Sequence, residues 1–301
     1  MSFFLTNTMA PKFPFFYLLI AFLFLTIQPF VSQSRILKSE DQTLKSLQIL
    51  EEVHKGQTIA GLNKVKKYLN KFGFYANPND SNLTDDFDDH LESALKTYQK
   101  YYHLNITGSL NSNTIKKMMI PRCGVPDDIT NLTSLNQSLY NFPSGFPRWS
   151  EFELTYSFSS SVPDDQDFRS AFAQAFQSWE GASQFKFKEA SADETVNIVI
   201  GFYSGDHGDG VPFDGPGRVL AHSFFPQDGR SHYDADESWS TNPDMNHMDL
   251  ESVALHELGH VLGLAHSQDP NAVMHSGIAP GTIKRDLTQD DIQGIQALYP
   301  N

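Results

Sequence analysis

Residues 256–266 read HELGHVLGLAH, placing three histidines, one glutamate and two glycines in a single short stretch. On a helix, His256 and His260 stand four apart and project from one face, about one turn from each other. Two imidazoles at that separation can grip a zinc ion at ~2.0–2.1 Å. Glu257 is rotated about 100° from His256, so it cannot join as an equivalent ligand. It is placed instead to take a proton from water in the metal's open position. Gly263 lets the helix end in a left-handed turn, which returns His266 as a third ligand. Three neutral nitrogens and one water make a catalytic site rather than a closed structural one. The competing reading is a solvent-facing helix that carries histidines by accident; Gly263 and His266, added to the five-residue core, weigh against it.

A cutting site raises the question of what keeps it quiet during export. Lys12 precedes the apolar run FFYLLIAFLFLTI, residues 15–27, and small polar residues follow at VSQS, so residues 1–34 read as a secretory signal. The run falls short of the ~20 residues that a membrane span needs. No later stretch could span either, so the expectation is a released, extracellular protein without a membrane anchor. Five glycosylation sequons agree, at Asn79, Asn82, Asn105, Asn131 and Asn136. The chain has one cysteine, Cys123. It can form no internal disulfide, and a lone thiol in an oxidising compartment needs a partner chain, burial or a metal.

The elements that must position these residues fall into two regions. Residues 35–147 carry 13 Lys+Arg against 12 Asp+Glu, whereas residues 148–301 carry 8 against 24. The proline- and glycine-rich stretch NFPSGFPRW marks the boundary. A net charge of −14 and a pI near 5.1 argue against nucleic-acid binding. In the first region Leu62, Val65, Leu69 and Phe72 recur at helical spacing, as do Leu91, Leu95, Tyr98 and Tyr102. A third short helix is expected through TIKKMMI to Pro121, completing a small helical bundle. The second region opens with FELTYSF, where Phe152, Leu154, Tyr156 and Phe158 alternate toward one buried face. Phe168, Phe172, Phe176 and Trp179 then form a helical stripe, read as core packing. VNIVIGF and GRVLAHSFF read as further strands. Two helices follow, from about Asp249 to Leu262 and from Thr288 to Tyr299, the second opened by a capping arrangement of Thr288 and Asp291. The layout is α/β with one sheet.

Met274 lies eight residues after His266, where the Met-turn of the metzincin pattern falls. With Ser267 after the third histidine, and with PRCGVPD at 121–127, the chain resembles a secreted matrix metalloproteinase, or matrixin. The resemblance is to the compact plant form without a propeller-like C-terminal domain, and it covers most of residues 35–301. It implies a zincin-like catalytic domain at 148–301, with a twisted, mostly parallel five-stranded sheet and three helices. Before it would stand an inhibitory prodomain at 35–147, a helical bundle resembling peptidoglycan-binding folds. It further implies a monomeric zinc endopeptidase made as a zymogen, acting on extracellular proteins after an activating protease removes the leader. In a plant, its place would be the apoplast or cell wall.

PRCGVPD matches the matrixin cysteine switch, in which the Cys123 sulfur fills the coordination position that water requires. The segment from Gly205 to Trp239 resembles the matrixin stretch for a structural zinc and a calcium. His207, Asp209, His222 and His232 would hold that zinc. Asp214, Asp234 and Glu237 would bind calcium through side chains, with the carbonyls of Gly215, Gly217 and Val219 completing it. The Phe225–His232 loop is short and Asn197 replaces an aspartate, so a second calcium is not expected. His275 and Ser276 replace the family's usual Tyr and Pro beside the specificity pocket. The resemblance also pairs Asp290 with the new N-terminus after activation and buries Asp291 near the Met-turn. A substrate would lie extended along the edge strand at Val219–Ser223. The rival reading is a non-enzymatic, wall-binding protein, which would need neither Glu257 nor Cys123.

Overall fold

The computed structural model describes residues 50–75, 83–129, 139–191 and 194–300. The expected signal segment and the sequons at Asn79, Asn82, Asn131 and Asn136 lie outside the described residues. Asn105 lies on an exposed loop. The described residues all belong to one compact unit.

Three helices come first: α1 Leu62–Lys71, α2 Asp89–Tyr101 and α3 Ser112–Met118. Asp88 caps α2 by accepting from the Leu91 amide, and Asn111 caps α3 by accepting from Thr114. Such caps satisfy amides that have no partner within the helix. The expected apolar stripes are buried: Leu62, Val65, Leu69, Leu91, Leu95 and Tyr98 close one core. Phe213 and Val219 from the second region pack into that same core.

The second region runs β1 Glu153–Phe158, α4 Gln166–Ala182, β2 Lys186–Glu189, β3 Ile198–Tyr203, β4 Ala221–Ser223 and β5 Arg230–Asp234. A short β6 Trp239–Ser240 and β7 Met248–Asp249 pair with each other before α5 Leu250–Val261 and α6 Gln289–Leu298. The main sheet has the order β2-β1-β3-β5-β4, parallel except for the edge strand β4. Helices α4 and α5 pack on each other, and α5 also packs under β4 and β5.

One expectation needs correction. Leu154, Tyr156 and Phe158 do share the core-facing side, but Phe152 does not belong to that face: β1 begins at Glu153 and Phe152 is 36% exposed. Its ring packs edge-on against Phe185 and Tyr299 instead. Strands β2 and β5 were not singled out by pattern. β2 is a polar stretch, KFKE, and β5 is read in sequence mainly as a ligand-rich loop.

Candidate metal centre and its surroundings

Helix α5 is buried on nearly every face, so its histidines sit in the molecule's interior. Asp249 caps it by accepting from the Ser252 amide, and the Asp249 carboxylate is held by Arg285 Nε at 2.9 Å. The helix ends at Gly263, whose φ is 104°. Leu264 N–H reaches the Gly259 carbonyl and Gly263 N–H reaches that of His260, a Schellman ending that needs the left-handed residue. A side chain there would also meet the Pro147 carbonyl. This turn brings the Leu264 carbonyl back to accept from His260 Nδ1 at 2.7 Å. The chain then returns with His266 beside the other two imidazoles.

The three rings converge through Nε2. His260 Nε2 lies 3.2 Å from that of His256 and 3.1 Å from that of His266. Cys123 Sγ lies 3.4 Å from His260 Nε2. These four donor atoms all fall within 4.8 Å of one another. His256 and His260 donate Nδ1–H to carbonyls of Val273 and Leu264, both at 2.7 Å, so their Nε2 atoms carry lone pairs when neutral. Burial favours the neutral form of all three imidazoles, strongly for His256 and His260 and less for His266, where Asp127 opposes it. Inward lone pairs at such separations repel unless a cation lies between them. A tetrahedron with ~2.1 Å arms has corners about 3.4 Å apart, so the donor set fits zinc. Burial and the Glu257 carboxylate push the Cys123 thiol up; the charge of a bound zinc reverses that preference for a coordinating thiol.

Glu257 is fully buried, and neither carboxylate oxygen has a hydrogen-bond partner among the described residues. Burial raises its pKa to about 7; the Cys123 and Ser223 side chains stand near enough to offset this in part, yet outside hydrogen-bonding geometry. A buried carboxylate without partners is costly, and one beside a donor cluster is a candidate proton acceptor. Met274 packs its thioether against Gly259, below the histidines. Asp291 orders that turn by accepting from the amides of Val273 at 3.0 Å and Met274 at 2.9 Å. The same carboxylate completes the α6 capping box with Thr288.

Cys123 arrives on an extended segment held on both sides. Arg122 N–H donates to Arg218 O, Leu220 N–H to Arg122 O, and Gly124 N–H to Ala221 O. On the other side Cys123 N–H donates to Ser276 O, and Ile278 N–H to Pro121 O. Residues Cys123, Leu220, Glu257, His275, Ser276 and Lys284 help line a cavity beside the cluster. Helix α3 reaches this wall through Lys117, whose Nζ is 3.1 Å from His275 Nε2. Burial lowers the Lys117 pKa to about 8 and that of His275 to about 3.

The second predicted cluster also comes together. Asp209 Oδ2 lies 2.8 Å from His207 Nε2, 2.7 Å from His222 Nε2 and 2.8 Å from His232 Nδ1. His207 Nδ1 faces the Gly205 carbonyl, so its Nε2 turns a lone pair toward the carboxylate. That contact too is relieved by a cation. Nearby, Glu237 accepts from Gly217 N–H and Asp214 from Val219 N–H, while one Asp234 oxygen is buried without a hydrogen-bond partner among the described residues. Burial raises Asp234 to about 6 and Glu237 to about 8, partly offset by backbone N–H donors and reinforced by neighbouring carboxylates, Asp236 and Asp214 for the first and Asp234 and Asp214 for the second. Side chains to which sequence reasoning gave no part in the site are Tyr102, read only as a member of an apolar stripe, and Lys117, Arg122 and Asp127. Two of these lie within PRCGVPD, but nothing in its spacing says what they face.

A mostly parallel sheet over a helix with converging histidines and a free carboxylate defines a zinc metallopeptidase. Comparison with known proteins agrees. The family description Matrixin matches residues 148–300, and that of a putative peptidoglycan binding domain matches residues 60–118. Metalloendoproteinase 1 of Glycine max is 48% identical over 258 residues, spanning 82% of this chain and 84% of that protein. Metalloendoproteinase 2-MMP of Arabidopsis thaliana is 41% identical over 274 residues, 82% and 72% of the two chains. Matrix metalloproteinase-16 of Mus musculus is 38% identical over 253 residues, 78% of this chain but 41% of its own. The chain belongs to the matrixin family and is a zinc metalloendopeptidase acting on protein substrates. No helix among the described residues is long and apolar enough to cross a membrane.

Proposed function

We propose that the chain is a secreted zymogen, with residues 1–34 its export signal, 35–147 its inhibitory segment and 148–301 its catalytic domain. His256, His260 and His266 hold the catalytic zinc, and Cys123 occupies its fourth position until the leader is removed. The observation that carries this reading is one shared donor cluster: sulfur from residue 123 and three imidazole nitrogens, with an unpartnered carboxylate alongside. A zinc ion bound there supplies Lewis acidity and makes water nucleophilic near neutral pH. Glu257 takes the proton of the attacking water and passes it to the leaving nitrogen. Strand β4 and residues 218–220 offer the substrate backbone the hydrogen bonds that residues 122–124 now occupy. Met274 supports the histidines from below.

His207, Asp209, His222 and His232 hold a structural zinc. Asp214, Asp234 and Glu237, with the carbonyls of Gly215, Gly217 and Val219, hold calcium. Asn79, Asn82, Asn105, Asn131 and Asn136 are the glycosylation candidates. Asp290 accepts the Tyr140 N–H at 2.9 Å and the Ser267 hydroxyl at 2.7 Å, and it receives the new terminal ammonium after processing.

The test is peptide cleavage by purified full-length protein before and after limited proteolysis of the leader. Cleavage is expected only afterwards, blocked by a chelator. Glu257→Ala is expected to keep the fold and both zinc ions while losing about 10²–10⁴ in turnover. A Cys123→Ser precursor as latent as the parent would overturn the switch.

A further inference from the structure

An imidazole that presents Nε2 to a metal needs an acceptor behind it, at Nδ1, to hold the ring and set its tautomer. For His256 and His260 these acceptors are carbonyls of the same region, Val273 and Leu264. His266 is different: its Nδ1 faces Asp127 Oδ1 at 2.8 Å, and both side chains are fully buried. Asp127 belongs to the segment that carries Cys123.

The other Asp127 oxygen is shared by Arg122 Nη1 at 2.9 Å and the Tyr102 hydroxyl at 2.8 Å. The Arg122 guanidinium lies 3.7 Å over the Phe72 ring. Among the described residues, every side chain hydrogen-bonded to this carboxylate, other than His266 itself, therefore comes from residues 72–127. An ion pair serving only to brace the segment would need Arg122 alone. Here one oxygen is given to Arg122 and the other to the third imidazole.

We infer that Asp127 is a positioning residue for His266, so that the inhibitory segment supplies both a ligand and the support behind a ligand, and the precursor holds its zinc more tightly than the released enzyme. This rests on the proposed zinc-binding role of the three histidines. An ionised acceptor makes its imidazole a stronger donor and limits its rotation. When the segment departs, His266 loses that support together with the competing sulfur. Release then does two things at once: it opens a coordination position, and it leaves the remaining ligands less electron-donating, which favours the Lewis acidity that catalysis needs.

The experiment uses the full-length precursor loaded with zinc, followed by imidazole ¹H–¹⁵N spectra and by competition against a chromogenic chelator. Protected Nδ1–H resonances are expected from His256, His260 and His266, alongside that of His207 in the second cluster. Asp127→Asn should shift or remove the His266 resonance alone and weaken zinc retention about 10–100-fold. A merely structural role would disturb all three resonances or none. Should Asp127→Asn not fold, the comparison is a Cys123→Ser precursor, which keeps Asp127, against the released enzyme, which has neither group. The Cys123→Ser precursor should hold zinc about 10-fold more tightly or better. Unchanged resonances and affinity in Asp127→Asn, or equal affinity in that second pair, would overturn the inference. Imidazole resonances that ignore zinc altogether would instead bring down the metal reading on which it stands.

Discussion

Gly124 lies so close to Val219 that an added Cβ would meet Val219 Cγ1 at 2.8 Å. Its neighbour Cys123 has little freedom to compensate, since its own N–H is bonded to Ser276 O. Gly124→Ala should therefore strain the extended segment by about 1–3 kcal/mol and lift the thiol from the histidines. The expected outcome is cleavage of a test peptide by the uncut precursor, measured without any activating step. Silence from that variant would show that the segment can shift without moving the sulfur.

Among the elements, the turn at 273–274 and helix α6 are joined through one side chain. Asp291 is 1% exposed and accepts from Val273, Met274 and Thr288 amides as well as the Thr288 hydroxyl. Asp291→Ala would leave four donors without their acceptor, two of them the buried Val273 and Met274 amides, so a loss of about 2–4 kcal/mol in urea unfolding is expected. The loop around Asp214–Glu237 gives a pH-dependent prediction. Without a cation, burial raises Asp234 from 3.8 to about 6 and Glu237 from 4.5 to about 8. A folded-state pKa raised above the unfolded value means stability that is present below pH 4 and lost as pH rises through 6 and 8. Calcium bound there, as proposed, would remove that loss by pairing with the carboxylates. Melting temperature in a calcium-selective chelator should thus fall between pH 5 and pH 8, while calcium-loaded protein changes much less. Parallel pH curves with and without calcium would argue that the ion sits elsewhere.

Across the whole molecule, the helical bundle is anchored to the catalytic region by a few buried polar contacts. The Tyr102 hydroxyl touches Asp127, Ser276 Oγ at 2.9 Å and Arg122 Nη1 at 2.9 Å. Tyr102→Phe removes all three contacts while keeping the ring, and is expected to weaken docking by about 1–2 kcal/mol. Alkylation of Cys123 in the intact precursor should then run roughly 5–30-fold faster. Unchanged labelling would place the anchor at Lys117 and His275 instead.

The local code carried much of this. His256, Glu257, His260, Gly263 and His266 were legible because helical spacing and a left-handed glycine fix relative directions over eleven neighbouring positions. The apolar stripes of α1, α2 and α4 were legible for the same reason. What the sequence alone could not give was who faces whom across 139 to 174 positions: His266 turned toward Asp127, Tyr102 toward Ser276, Lys117 toward His275. Strand β2 was equally hidden, since its pairing with β1 is set by neighbours rather than by its own polar pattern. Spacing determines direction within one element; only the packing of separate elements decides which buried charge finds which partner.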